Sequence, residues 1–367
     1  MRQKVVVGMS GGVDSSVAAY LLKEQGYEVV GVTMLTGRDD DPAVAGQSEA
    51  EGESSAVKEA QKTCEILGIE HSVVDFKSEF NKQVLGYFVS EYVRGCTPNP
   101  CIACNRYVKW KSLLFRADQL GAERIATGHY AKIIRLENGR YSVRNAVTAT
   151  KDQTYALYGL GQDQLARTLM PVGDYEKEEI RRIAERLGLA VAHKPDSQDI
   201  CFVPDHDYAG FILRKTGMES APGNFVDENG RVLGRHRGLI HYTVGQRKGL
   251  GISAETPLFV KELRPETNEV VLCRSEALFA RECLVADVNY MAVEALDAPT
   301  PAIGKIRYSH KGSPCVLYPN EDGSIRCVFE EPQRAMTPGQ AAVFYRGDYV
   351  LCGGVIVRSD RCALRPR

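Results

Sequence analysis

Residues 4–16 read Lys4-Val5-Val6-Val7-Gly8-Met9-Ser10-Gly11-Gly12-Val13-Asp14-Ser15-Ser16, an apolar run that passes directly into a glycine-rich loop. The pattern over Lys4–Met9 is that of a buried strand. The loop after it is a phosphate loop with no lysine. The common nucleotide loop ends in Gly-Lys-Ser/Thr, and its lysine reaches the β- and γ-phosphates. Here Asp14 and Ser15 stand in those places. Gly11 and Gly12 open backbone conformations closed to other residues and let the chain approach a ligand closely. Backbone N–H groups and the N-terminus of the next helix can then cradle phosphate. The part that manages an ordinary γ-phosphoryl transfer is missing. A strand-to-helix turn without a ligand is the plain alternative. Ser10 and the run Asp14-Ser15-Ser16 beside paired glycines argue for a nucleotide.

Outward from the loop, strand and helix signals alternate. Ser15–Gln25 has helical spacing (Val17, Ala18, Leu21, Leu22), with Asp14 placed as its N-cap and Gly26 as its stop. Tyr27–Leu35 reads as a strand, residues 37–54 as a flexible acidic surface loop, Ala56–Leu67 as a helix and His71–Phe76 as a strand. Helices over Glu79–Tyr92 and Tyr107–Leu120 precede a short strand at Arg124–Thr127, which leads into Gly128-His129. Strands spaced by helices predict an α/β fold with a doubly wound parallel sheet. The loop then lies at the carboxyl end of strand one, where open α/β sheets bind ligands. One more amphipathic helix covers 176–188. Past about residue 205 come short alternating strands: Val270–Cys273, Ala302–Tyr308, Cys315–Tyr318, Ser324–Phe329, Ala341–Tyr345 and Tyr349–Val357. These predict a small β-barrel.

A chain of 367 residues has room for two or three domains, and its 44% apolar and 25% charged content is that of a soluble globular protein. It contains no run of about 18 apolar residues and no signal-peptide core, which predicts a cytoplasmic address and no membrane partner. The net charge of −1 decides nothing about nucleic acid. Basic residues do cluster, at Arg106, Lys109 and Lys111; Arg231, Arg235 and Arg237; Arg247 and Lys248; and Lys305, Arg307 and Lys311. They are either an RNA-binding face or ordinary solvated surface. The 11 cysteines are reduced thiols in a cytosolic protein, and most are expected to be small core residues.

Three cysteines sit in settings that suggest chemistry. Thr97-Pro98-Asn99-Pro100-Cys101-Ile102-Ala103-Cys104-Asn105 approaches in extended form, and a helix is predicted from near Asn105 or Arg106. Cys104 then falls at a helix N-terminus with Arg106 and Lys109 nearby, and both features favour thiolate. A zinc half-site would need a second pair, and no other Cys-x-x-Cys or His-x-x-x-His follows. A nucleophile, a soft-metal ligand set and a structural cysteine stay open. Cys201 lies in a polar, turn-rich stretch, Lys194–Phe202, that suggests exposure and reactivity. Lys151-Asp152-Gln153 and Gly128-His129-Tyr130 are weak signals by themselves.

Taken in order, these segments resemble the tRNA-specific 2-thiouridylases. The likeness continues through His241–Gly251, Arg307-Tyr308 and Pro338–Tyr345, so that it covers nearly the whole chain. It implies an N-terminal sheet of the PP-loop ATP pyrophosphatase type over 1–205, a central tRNA-binding domain over 206–275 and a C-terminal β-barrel over 276–367. It also implies a reaction: ATP, with Mg, adenylates the C2 oxygen of the wobble uridine of tRNA, and sulfur displaces AMP to give 2-thiouridine. A lysine-free loop suits attack at the α-phosphorus, because the amides then hold pyrophosphate.

By the same resemblance Gly8, Met9, Ser10, Gly11, Gly12, Val13, Asp14 and Ser15, with Met34 and Gly128, bind ATP. Cys104 and Cys201 are the sulfur-handling catalytic pair, and a disulfide bond belongs to that expectation. His129, Lys151, Asp152, Gln153, Arg307, Tyr308 and Gln340 contact tRNA, while Asn99, Pro100 and Cys101 border the target base, which must leave its stack. Sulfur comes from a donor protein such as a cysteine desulfurase or relay protein, or from inorganic sulfide. Much of the family carries Asp where this chain has Cys101. Two routes are then open. One is a persulfide on Cys201 partnered by Cys104. The other is a 4Fe-4S cluster held by Cys101, Cys104 and Cys201 with one open iron. Another ATP-dependent PP-loop ligase or amidotransferase is the alternative, and it leaves the cysteine pair unexplained.

Overall fold

Val5, Val6 and Val7 are wholly buried, and they form the middle of a parallel sheet in the computed structural model. The structure describes residues 2–37, 55–195, 200–203 and 205–358. It divides into two units. The first takes in 1–85, 101–206 and 348–350; the second takes in 86–100, 207–347 and 351–367. The expected flexible loop falls almost wholly outside the described residues, as do Asp196–Asp199 of the Cys201 segment.

In the first unit the strands are β1 (Lys4–Gly8), β2 (Glu28–Leu35), β3 (Glu70–Asp75), β4 (Arg124–Ala126), β5 (Ala131–Arg135), β6 (Tyr141–Asn145) and β7 (Thr168–Leu169). Five of them make a parallel sheet in the order β3-β2-β1-β4-β7, with Val6 opposite Val30 on one side and Ile125 on the other. β5 and β6 form an antiparallel hairpin. Helix α1 (Val13–Glu24) is buried on two sides. Ala19 and Leu22 meet Val5, Val7 and Val29 of the sheet and Ala60 and Leu67 of α2 (Ser55–Leu67). Val17, Ala18 and Leu21 meet Ile180, Ile183 and Ala184 of another helix, Lys177–Arg186. This covering by helices is what a buried parallel sheet requires. Gly31 leaves a notch in β2 for Cys64: a Cβ there would stand 2.7 Å from the Cys64 sulfur.

The second unit carries two β modules. Strands β8 (Gly223–Val226), β9 (Val232–His236), β10 (Phe259–Arg264) and β11 (Glu269–Cys273) pair in the order β10-β11-β8-β9 around Phe225, Tyr242, Val260 and Leu272. Then come β12 (Phe279–Tyr290), β13 (Thr300–Lys305), β14 (Ser313–Pro319), β15 (Ile325–Arg334), β16 (Ala341–Arg346) and β17 (Tyr349–Val357). They run in the order β12-β15-β14-β13-β16-β17, and β12 pairs back onto β17. The sheet is thus a closed barrel, as expected, and closure removes its edges. The long β12 and the strands β8 to β10 break the apolar–polar alternation that marks a strand in sequence.

Two local expectations are corrected. Gly12, with φ −116° and ψ 164°, is the N-cap of α1, and Asp14 lies in its first turn. The cysteine helix starts at Pro100, not near Asn105: Pro100–Ala103 is α-helical, Cys104–Lys109 is a π-helical turn, and α3 (Trp110–Gln119) continues it, with Lys177–Arg186 as α4 further on. Proline is favoured at a first helical position, where its missing N–H costs nothing. The ten described cysteines are free thiols. No helix among the described residues is long and apolar enough to cross a membrane.

Candidate active site

The loop between β1 and α1 is shaped by backbone contacts. Gly11 has φ +69°, and a Cβ there would stand 2.6 Å from the Ala56 carbonyl oxygen. Gly128, just past β4, lies against the start of α1, where a Cβ would meet Asp14 C and Ser15 N at 2.6 Å. Ser15 Oγ accepts from the Ser10 N–H at 3.2 Å, and the Ser16 hydroxyl donates to the Gly12 carbonyl at 2.9 Å. Met9 is buried, and its N–H donates to Val32 O at 2.8 Å. Met34 is half-buried on β2 beside Val74. Gly8 to Ser15, Met34 and Gly128 are therefore gathered at the carboxyl ends of β1, β2 and β4.

The loop's cations come from elsewhere in the chain. Lys177 of α4, 7% exposed, places its ammonium 2.6 Å from Asp14 Oδ1. The Tyr130 hydroxyl donates to that same oxygen at 2.6 Å. Lys194 donates to the Gly11 carbonyl at 3.2 Å and pairs with Glu59. Neither lysine is near the loop in sequence, so no local pattern signals either of them.

The three cysteines lie in this same unit. Cys104 is buried in the π-helical turn; Cys101 and Cys201 are exposed. Cys101 and Cys201 lie within electrostatic range of one another. Cys101 keeps an open surface but is ringed by protein, and the loss of bulk water around it pushes its thiol up; the Lys109 ammonium opposes this, and the neighbouring Cys201 adds to it. Lys109 makes its charge felt at Cys101 and His129. Cys201 is held by its neighbours: Phe202 and Val203 are buried, and the Phe202 ring packs edge-on against Phe80 at 5.8 Å. Arg181 fixes the approach by donating to the carbonyls of Ala192 and Lys194 at 2.8 and 3.1 Å. π-Helical turns recur at functional sites, and this one holds a second anomaly. Asn105, 2% exposed, donates to Ala156 O at 3.0 Å while its own Oδ1 has no partner.

Among the described residues no three His, Cys, Asp or Glu side chains converge to hold a metal ion. Cys101, Cys104 and Cys201, the residues expected to hold a 4Fe-4S cluster, lie in one unit.

His129 packs against Trp110 with ring centroids 5.3 Å apart, and its Nδ1 lies 2.9 Å from Thr127 Oγ1. Burial, with Lys109 adding to it, holds His129 well below the ordinary histidine range. Asp152 accepts from the Ala146 N–H at 3.0 Å and the Thr154 hydroxyl at 2.5 Å, and Gln153 accepts from the Tyr130 N–H at 2.9 Å. These two side chains brace the backbone leading to the loop. Lys151 is half-buried beside them.

The other expected tRNA residues belong to the second unit. Pro100 is buried and Asn99 half-buried. The Gln340 amide donates to Thr97 O at 2.8 Å, and the Thr97 N–H donates to Pro338 O at 2.9 Å. Gly339, at φ +91°, allows this approach, since a Cβ there would stand 2.9 Å from Thr97 N. Arg307 is half-buried and Tyr308 is 51% exposed. Arg307 and Gln340 line one cavity of about 280 Å³.

Comparison with known proteins covers the chain. The model described as tRNA methyl transferase HUP domain matches residues 3–205. The tRNA methyl transferase PRC-barrel domain matches 211–274, and the Aminomethyltransferase beta-barrel domain matches 280–356. A protein of Lachnoclostridium phytofermentans named tRNA-specific 2-thiouridylase MnmA is 58% identical over 97% of this chain and 100% of its own. One of the same name from Clostridioides difficile is 48% identical over 98% of this chain and 99% of its own.

Proposed function

This chain belongs to the tRNA-specific 2-thiouridylase family, and from that premise we propose that it makes 2-thiouridine in tRNA by adenylating the wobble uridine and replacing its C2 oxygen with sulfur. The observation that carries the reading is the company kept by the loop. One unit holds the lysine-free phosphate loop together with the thiols of Cys104 and Cys201, and Cys101, three residues before Cys104, lies within electrostatic range of Cys201.

ATP, with Mg, lies on the Gly8–Ser15 loop, its phosphates facing backbone N–H groups and the start of α1. The uridine, out of its stack, presents its C2 oxygen to the α-phosphorus. The O–P bond forms, the α–β bond breaks, and pyrophosphate leaves. The C2 oxygen is now part of a good leaving group. The outer sulfur of a persulfide on Cys201 bonds to C2, and AMP departs with the oxygen. The Cys104 thiolate then attacks the Cys201 sulfur. This releases 2-thiouridine and leaves a Cys104–Cys201 disulfide for a thiol reductant to reopen. This persulfide route needs only the thiols of Cys104 and Cys201 and a thiol reductant. The sulfur donor is a desulfurase or relay protein that delivers sulfane sulfur. His129, neutral at pH 7, and Lys151 offer contacts to the RNA from the same unit.

The test is nucleoside analysis by mass spectrometry after the protein, ATP, unmodified tRNA and a persulfide donor react under reducing conditions. The expected products are 2-thiouridine, AMP and pyrophosphate in equal amounts. ATP consumption without thiolated nucleoside would overturn the proposal.

A further inference from the structure

Cysteine side chains of the closed barrel gather on its inner face. Along β15, Ile325, Cys327 and Phe329 are buried and alternate with Arg326 and Val328. Cys315 of β14 is buried, and Cys283 of β12 is half-buried. Cys283 stands directly opposite Cys327 in the antiparallel ladder of β12 and β15. Cys315 lies on the other flank, two residues from Leu317, which is the direct partner of Cys327 on β14. The Cys327 thiol hydrogen-bonds to both neighbours, Cys283 and Cys315. The thiolation reaction uses none of these three residues.

Register decides which pair can bond. Directly opposed residues of an antiparallel pair have Cα atoms about 4.5–5.5 Å apart, and a disulfide spans about 4.4–6.8 Å. Cys283 and Cys327 meet that requirement without backbone movement. Diagonal neighbours stand about 7–8 Å apart, beyond an unstrained disulfide. Cys315 is also engaged elsewhere, its thiol donating to the Ala302 carbonyl at 3.4 Å. Access comes from the β12 side. The ladder of β12 slips register against β15 between Ala280 and Glu282, and against β17 between Ala286 and Asn289. Cys283 sits between these two irregularities, where the pairing that would shield it is interrupted. Hydrogen bonding to Cys283 and Cys315, and burial after that, push the Cys327 thiol up, so it stays protonated while Cys283 reacts first.

We propose that Cys283 and Cys327 are a redox modification site, which a hydroperoxide converts to a cross-strand disulfide. The Cys283 thiolate attacks one oxygen of hydrogen peroxide, and the O–O bond breaks. This gives a sulfenic acid and hydroxide, which takes up the proton that Cys283 has lost and becomes water. The Cys327 sulfur then bonds to the Cys283 sulfur, the S–O bond breaks, and the hydroxyl leaves with the Cys327 proton as a second water. The two thiols lose two electrons and the peroxide gains two. A thiol reductant reverses the change. The bond ties β12, the strand that closes the barrel against β17, covalently to β15. Closure of the barrel is thereby coupled to oxidation. The site stands apart from the thiolation chemistry, and its fate does not decide that reading.

The test is peptide mapping of the full-length protein after native treatment with hydrogen peroxide. The sample is alkylated in denaturant and digested with trypsin without reduction. Trypsin puts the three thiols on separate peptides, 282–305, 312–326 and 327–334. Peptides 282–305 and 327–334 are expected as one linked species that a thiol reductant separates, with Cys315 still open to alkylation. Cys315→Ala should keep the link. Cys283→Ala should lose it and leave Cys327 a free thiol. Oxidised wild type should melt about 5 °C above reduced wild type, because the bond closes a long loop of the unfolded chain. Cys283→Ala should show no such rise. A free Cys327 thiol in wild type, at a peroxide dose that oxidises the exposed Cys201, overturns the proposal. So does a link that runs through Cys315 instead. A linked protein that melts at or below the reduced one overturns it too, since the bond then distorts the barrel instead of fitting it.

Discussion

Lys177 holds Asp14 across 163 residues of chain, its ammonium 2.6 Å from the carboxylate oxygen that also accepts from Tyr130. The contact fixes the first turn of α1, whose N–H groups face the phosphate site. It also explains how a loop with no lysine of its own keeps a cation beside it.

Lys177→Met removes that cation and leaves a half-buried carboxylate with one donor fewer. A charged hydrogen bond lost in this way costs about 1–3 kcal/mol. Urea denaturation should show a lower midpoint with an unchanged slope. A variant as stable as wild type would mean the pair is no more than a surface contact.

Gly128→Ala inserts a methyl group 2.6 Å from backbone atoms of Asp14 and Ser15, which cannot step aside as a side-chain tip can. The start of α1 must move, and ATP-dependent pyrophosphate release should fall roughly 100-fold, as for misplacement by about an ångström. Binding of tRNA should be unchanged. Retention of the wild-type rate would show that Gly128 does not set the loop.

Cys104→Ser and Cys201→Ser should each abolish 2-thiouridine while pyrophosphate release and tRNA binding persist. Iron-free protein supplied with a persulfide donor should keep its activity, since the persulfide route uses only Cys104, Cys201 and a thiol reductant. Activity that appears only after iron and sulfide are restored would reverse this assignment.

Burial holds His71, His129, His236, His241 and His310 below their ordinary pKa of 6.5. Near and below that value the unfolded chain binds more protons than the folded one, so stability rises with pH there and is lost on acidification. Denaturant midpoints measured between about pH 7.5 and 5.5 should fall as the pH is lowered. His129→Gln should flatten the decline. A flat profile in wild type would contradict the burial of these rings.

Legibility in the sequence divides along physical lines. Val5-Val6-Val7 declares a strand because a buried parallel strand is apolar at every position, and Ala341–Tyr345 declares one in the same way. Asp14 reads as a cap in sequence because its partners, Tyr130 and Lys177, come from remote turns and helices that no window of sequence contains. Cys104 reads as a helix start because the prolines before it suggest extended chain, whereas Pro100 is itself the first helical residue. The side-chain oxygens of Asp152 and Gln153 accept from Ala146, Thr154 and Tyr130, a fact of folding that composition does not carry.

The notch that Gly31 leaves for Cys64 bears on a hazard peculiar to this chemistry. Sulfane sulfur hops between thiolates, so a chain with 11 cysteines risks scrambling its own cargo. Burial pushes the Cys64 and Cys352 thiols up to about 12, and Cys273 upward as well, which keeps all three protonated and unreactive at neutral pH. Cys101 and Cys201 alone among the described cysteines stand exposed. Tight packing thus acts as insulation, keeping mobile sulfur off Cys64, Cys273 and Cys352.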